Sequence, residues 1–270
     1  MRGRSIDIWM LAKTNAVILL IIFLLISFFS SSIDLIELRT LDNRFRVRNA
    51  LKMNPGYHNE LVHINIDNYS KQKSNQTLWP KSYYAKLINK ISERGADVIV
   101  CDIMFVDWAD TTGNVTLINS IINSGNVVSP ILFGLNMNDN IQVGVPDEFG
   151  LEIYPNFETV GFLNANNIIA KPLLEIMDQS AGMGFVNVIP DPDGVLRRIP
   201  LIVQLNGKMI PSLFLQSLCT FLDYDLNKII PVDGSLLILE GFGEFVEGVD
   251  KDLRIPLDGK GNMLVNLSGT

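Results

Sequence analysis

Histidine and cysteine are scarce in this chain, two of each. With only His58 and His63, and no Cys-x-x-Cys pair, the sequence offers no ligand set for a zinc site. Base is scarce relative to acid. Lys and Arg total 22 against 29 Asp and Glu, a net charge of -7, which argues against a nucleic-acid partner. Low-complexity and disordered stretches are absent. Enzyme templates are absent too: there is no Gly-x-x-x-x-Gly-Lys-Ser/Thr loop and no Gly-x-Ser-x-Gly elbow. "GFGEFVEG" (241–248) carries two glycines of a dinucleotide fingerprint and lacks the third. No cofactor and no metal are implied. Four Asn-x-Ser/Thr sequons, at Asn68, Asn75, Asn114 and Asn266, occur in an Asn-rich chain, where chance explains them.

What the sequence does have is one long apolar run. Residues 14–33, "TNAVILLIIFLLISFFSSSI", contain no charge. A helix of that length spans roughly 30 Å, about one hydrocarbon core. Arg2, Arg4 and Lys13 before it and the small residues "SSS" also fit a cleaved signal peptide, but the run is long for one. The reading is a leader over 1–14, a transmembrane helix over 15–33 and one domain over 34–270, all on one side. Three basic residues precede the run. Five follow it: Arg39, Arg44, Arg46, Arg48 and Lys52. A bare count puts the domain inside, but long domains translocate largely regardless of charge, so residue counting leaves the side open. Beyond the run, Leu35, Leu38, Leu41 and Phe45 form a helical stripe that predicts a membrane-proximal helix to about Asn49, ended by Pro55 and Gly56. Such a stripe can pack on its own domain or on a second copy, giving a homodimer.

The remainder predicts a mixed α/β fold. "LVHINID" (61–67) alternates and reads as a strand. A helix follows from Pro80, with Tyr84, Leu87, Ile88 and Ile91 on one face and Gly95 as its stop. "DVIVCDIMFV" then reads as a strand buried on both faces. Strand, helix, strand is a parallel crossover, and it repeats: a helix with Val115, Ile118, Ile121 and Ile122 inward, then the strand "NVVSPILF". After Gly134 come a short helix at Pro172, the strands "MGFVNVI" and "VLRRIPLIVQL", and a helix with Leu213, Phe214, Leu218, Phe221 and Leu222 buried. Asp-Gly in "PVDGSLLIL" and "PLDGKGNMLVNL" signals two hairpins. The fold class is α/β: an N-terminal transmembrane helix, then a mixed-sheet domain with a parallel βαβ nucleus and antiparallel hairpins in its C-terminal half.

Two places could carry chemistry. "PDPDG" (190–194) reads as a turn between strands: Pro presets one dihedral, Asp caps its own backbone, Gly takes a positive φ. A calcium loop needs oxygens at its first, third and fifth positions and a distant Glu. Asp191 and Asp193 are followed by Gly194 and Val195, which breaks that pattern. Arg197 and Arg198 alternate faces, so at most one points inward. The second place is the pair Asp67 and Asp102, read as the end of one parallel strand and the inside of the next. Ligands bind at the carboxyl ends of such strands, and a buried carboxylate needs a partner, here Lys81, Arg197 or Arg198. The pair is either a ligand site or a structural ion pair; an exported hydrolase using Asp67 and Asp102 is the alternative function. Cys101 and Cys219 sit in apolar runs and read as buried thiols, with a single disulfide also open.

Taken in order, "LVHINID…LWPKSYYAKLINKISERGADVIVCDIMFVD", "GNVVSPILF", "GFVNVIPDPDGVLRRIPLIVQLNGKMIPSLFLQSL" and "LDGKGNMLVNLSG" resemble the type-two CHASE domain, an extracytoplasmic sensory domain of bacterial transmembrane receptors. The resemblance runs from about Leu35 to Gly269; the ordered set is specific, and no single piece is. Asp67, Trp79, Pro80, Asp102, Asn187, Asp191, Asp193, Gly194 and Arg198 match recurrent positions of the family. The resemblance implies a sensor without activity of its own. An external stimulus, a small molecule or a protein, would drive a cytoplasmic cyclase, diguanylate cyclase or kinase. It implies an inner-membrane location with the amino terminus cytoplasmic and the domain periplasmic. Asp67, Trp79, Lys81, Asp102, Asn187 and Arg198 are the ligand-binding or structural candidates, with Asp191, Asp193 and Gly194 forming the turn. Receptors of this family usually continue into more membrane helices and a catalytic domain. The end at Thr270 therefore implies either a fragment of a receptor or action through partner proteins.

Overall fold

The structure, a computed structural model, describes residues 8–54, 56, 58–74, 79–106, 111–136, 161–205, 208–232, 234–246 and 248–265, with the backbone alone at 8, 10–11, 24–34 and 208. The chain forms two compact units. One holds Met1–Val62, Pro192–Val195 and Asn266–Thr270; the other holds His63–Asp191 and Leu196–Val265.

In the first unit a single helix, α1 (Ile8–Ala50), runs unbroken through the apolar segment and the predicted membrane-proximal helix. Neither Pro nor Gly interrupts it, and Thr40 returns its hydroxyl to the Ile36 carbonyl at 2.8 Å. Leu38 is buried, Leu41 and Phe45 are half-buried, and Leu35 is exposed. Among the described residues no helix is long and apolar enough to cross a membrane. Within the predicted span 15–33, the side chains of 24–33 lie outside them. So do residues 1–7 of the predicted leader, Pro55, and the sequons at Asn75 and Asn266.

The second unit opens with short α2 (Asn68–Lys73) and α3 (Lys81–Ser92). Pro80 caps α3, as expected, and Gly95 follows it at φ +79, a conformation open to glycine at little cost. β1 (Ile99–Val100), α4 (Thr111–Ser124) and β2 (Val127–Asn136) form a parallel crossover. β3 (Leu163–Ala170) pairs antiparallel with the far half of β2. α5 (Leu174–Gln179) leads to β4 (Gly182–Phe185), parallel to the near half of β2. β5 (Arg198–Pro200) precedes β6 (Ile202–Leu205) and β7 (Lys208–Pro211), and β6 lies parallel to β3 and antiparallel to β7. Then come α6 (Leu213–Leu222), β8 (Ile229–Val232), β9 (Leu236–Leu239), β10 (Leu253–Pro256) and β11 (Asn262–Leu264). The main sheet is therefore mixed, as predicted, and β8–β9–β10 form a separate antiparallel sheet.

Two local expectations are overturned and two more hold only in part: Ile121 of α4 and Leu213 of α6 are buried as predicted, and Ile118, Leu218 and Leu222 pack against the core. Residues 61–67 form no strand; Leu61, Val62 and Ile64 are exposed. A strand exists by pairing, and β-propensity alone does not hold one. The following strand is only two residues long, with Val100 and Asp102 exposed, because among the described residues β1 pairs with β2 alone and so forms an edge. The inward face of α4 is Gly113, Leu117, Ser120 and Ile121, with Val115 and Ile122 exposed; small residues at 113 and 120 let it lie close to α3, where the Ser120 hydroxyl donates to the Ala85 carbonyl at 3.1 Å. Finally, α6 buries Leu213, Leu215, Gln216 and Cys219 and leaves Phe214 and Phe221 exposed. It lies across β4 so closely that a Cβ on Gly184 would stand 2.4 Å from the Leu213 Cα.

The first of the two predicted hairpins, with Asp233 of its turn outside the described residues, forms, β8 pairing antiparallel with β9. The Asp258-Gly259 one does not: β11 pairs with β5, and β10 with β9. Its turn signal is sound, since Asp258 Oδ1 accepts from the backbone N–H groups of Lys260 and Asn262. Partner choice is a separate, non-local matter.

Candidate functional site

The stretch 184–201 is where the largest number of sequence-selected residues meet. Asn187 follows the end of β4, and its carboxamide behaves as a strand backbone. Its Nδ2 donates to the Phe133 carbonyl at 2.6 Å and its Oδ1 accepts from the Phe133 N–H at 3.0 Å. One side chain thus continues the β2–β4 ladder past its last backbone bond, Val186 N–H to Ile131 carbonyl.

The turn forms as its residues dictate. Gly194 takes φ +81, and Val195 N–H donates to Asp193 Oδ1 at 3.1 Å. It does not join a paired hairpin, however. β4 pairs with β2 while β5 pairs with β11, so the predicted strand-turn-strand is a connector between two sheets. Its base is braced by charge. Arg197 is 1% exposed and donates from Nη1 to Asp191 Oδ2 at 3.1 Å; Arg198, 27% exposed, donates from Nη1 to the other oxygen at 2.6 Å. The alternation argument holds in that one arginine is buried, yet both reach the same carboxylate. Arg198 Nε also faces Asp258 Oδ2 at 3.8 Å, and Asp258 accepts from the Asn262 Nδ2. Asp258 and Asn262 were not selected from sequence. Their signal was the Asp-Gly turn, read there as a hairpin only.

Asp67 and Asp102 are not brought into that group, and neither is buried. Asp67 caps α2, its Oδ1 accepting from the Ser70 N–H at 2.8 Å and the Ser70 hydroxyl at 2.7 Å. Those bonds, the backbone one foremost, hold its carboxyl below the ordinary 3.8. Their contribution is complete above the unfolded value and is lost as pH falls through the folded one. Asp102 makes no hydrogen bond or ion pair with any described residue. The three cations proposed as partners are engaged elsewhere: both arginines with Asp191, and Lys81, fully buried, with Asn114 Oδ1. No group of three His, Cys, Asp or Glu stands together among the described residues. The convergence of two carboxylates that a hydrolase reading calls for is not seen.

Trp79 donates from its indole to Ser74 Oγ at 2.8 Å and stacks near Tyr84, ring centres 5.9 Å apart, which meets Phe105 edge-on at 5.3 Å. This row covers the α3–α4–β1 core. Burial, and after it the Cys101 charge, pushes the Tyr84 hydroxyl above its ordinary value. Both cysteines are free. Burial pushes each thiol up to about 12. At pH 8 that leaves about one part in ten thousand as thiolate, the reactive form. An aromatic disulfide reagent is therefore expected to react with neither thiol in the native protein, and with both after unfolding without reductant. A fast native reaction, or fewer than two thiols in denaturant, would overturn this.

Compared with known proteins, the chain matches the family model of the CHASE2 domain over residues 17–270. No curated protein and no solved structure matches it.

Proposed function

The chain belongs to the CHASE2 family, extracytoplasmic sensory domains of signal-transduction receptors, and on that premise we propose that it senses an external stimulus and passes it to a cytoplasmic output. The stimulus is a small molecule or a protein; the output is a cyclase, diguanylate cyclase or kinase outside this chain. The sensor has no catalytic activity of its own. Residues 1–14 are cytoplasmic, 15–33 anchor the chain in the inner membrane, and 34–270 face the periplasm.

The observation that carries this reading is α1. It is continuous over 43 residues, about 65 Å at 1.5 Å per residue, roughly twice a hydrocarbon core. Residues 17–23 are apolar and exposed throughout, as side chains facing lipid would be. A helix that runs unbroken from the apolar segment through the membrane-proximal one moves at one end when shifted at the other. It transmits only if the stimulus binds two of its arrangements with different affinity.

Alkaline phosphatase fused after Thr270 is expected to be active; an inactive phosphatase beside an active cytoplasmic reporter at that site would reverse the topology. In a chimera carrying a cyclase output, Gly-Gly inserted after Thr40 weakens the helix by roughly 1 kcal/mol per glycine. The response is expected to disappear while thermal unfolding of the domain stays the same. A retained response with unchanged unfolding would remove α1 from the mechanism.

A further inference from the structure

We propose that residues 63–67 are a strap that closes on the free edge of β1 as an added parallel strand. The segment belongs to the same compact unit as β1. It has the composition of a strand and none of the pairing: "HINID" alternates, and Ile64 is 47% exposed. The edge it would join is equally unfinished. Ile99 and Cys101 donate their N–H groups to Asn126 and Val128 on the β2 side. In a parallel ladder successive residues bond to opposite neighbours. The backbone groups of Val100 and Asp102 therefore point away from β2, toward an edge where no described strand lies. Val100, 49% exposed, shows how open that edge is.

The connection suits this closure. From Asp67 the chain passes through α2 and α3 and returns at Ile99, which is the strand–helix–strand length that a parallel crossover needs. Closure would cover Val100 and bury Ile64 and Ile66. It would also bring the end of the strap beside Asp102 and draw Asp67 from its cap on α2. The two arrangements thus exchange a helix cap for a sheet edge, the kind of two-state element that a stimulus can bias. Only its use in signalling rests on the sensory reading; closure itself is measurable without any stimulus.

Proline scanning of the full chain tests it. A strap paired along one side only points alternate N–H groups into the ladder and the others to solvent, so proline is tolerated at one parity and not at the next. Ile64→Pro and Asn65→Pro are compared by hydrogen exchange of residues 61–67 and of Val100 and Asp102. Closure predicts that one variant loses protection at both segments by about tenfold or more and the other changes little. Equal, small changes in the two variants would overturn it. So would protection of the parent chain that rises with protein concentration, since the edge would then be taking a second copy's strand.

Discussion

Replacing Asp191 by alanine is expected to cost about 3–5 kcal/mol of stability, because it leaves the buried Arg197 guanidinium without the carboxylate that faces it. The same change at Asp193, two residues on, is expected to cost about 1 kcal/mol, since that side chain is exposed and its bond from the Val195 N–H is a solvent-facing turn hydrogen bond. The two aspartates are near-identical in sequence context, each preceded by proline. They differ in where the turn puts them: Asp191 at its base between two guanidiniums, Asp193 at its tip. For the domain that follows α1, 1 kcal/mol corresponds to about 2–4 °C, so the first change lowers the melting temperature by roughly 6–20 °C and the second by a few degrees. Thermal unfolding of the two variants side by side decides it. Equal shifts would mean that the Asp191–Arg197–Arg198 brace contributes nothing particular to the fold.

Gly184→Val is expected to destabilise by about 3 kcal/mol or more. The added Cβ would lie 2.4 Å from the Leu213 Cα, 2.6 Å from its N and 2.8 Å from the Ser212 carbonyl carbon. All three are backbone atoms, so no side chain can swing aside; α6 must lift from β4, disturbing the cap that Ser212 places on the Leu215 N–H. Gly182, two residues earlier on the same face, would meet the Gln216 side chain instead, which can move. Gly56 meets nothing within 4 Å, and valine there serves as the control. A melting temperature for Gly184→Val no lower than that of Gly56→Val would show that the helix and strand separate freely.

The parts legible in the sequence were those written in local chemistry. Pro80 and Gly95 bracket α3 because one lacks an N–H the helix does not need and the other accepts a positive φ. "PDPDG" forms its turn for the same kind of reason. α1 is one helix because nothing in it opposes a helix. What was not legible was partnership. Residues 61–67 and 99–106 each carry a strand pattern, but a ladder is made by a neighbour that no local pattern names. β11 follows a sound Asp-Gly turn and still pairs with β5. In α6 the sequence reading places Leu213, Leu218 and Leu222 correctly and Phe214 and Phe221 wrongly, because apolar residues surround the helix. The choice between Phe214 and Leu215 is made by how closely β4 approaches, through two glycines. In the site, Asn187 was identified by resemblance alone. Asp102, the carboxylate for which Lys81, Arg197 and Arg198 were the candidate partners, stands alone among the described residues, while Asp191, read as a turn residue, holds both arginines.

That brace also separates the turn from the domain in the sense of chain statistics. The four residues Pro192–Val195 leave and rejoin the larger unit between flanks tied by Asp191, Arg197 and Arg198. With the ends of a loop fixed by contacts at its base, lengthening it costs only closure entropy, about 0.6 kcal/mol for each doubling. Its tip is exposed, and its backbone there is held by a turn rather than by a ladder. A short epitope or fluorophore-binding peptide inserted between Asp193 and Gly194 would therefore be carried by an exposed turn at little thermodynamic expense. The loop is the natural place to carry a label.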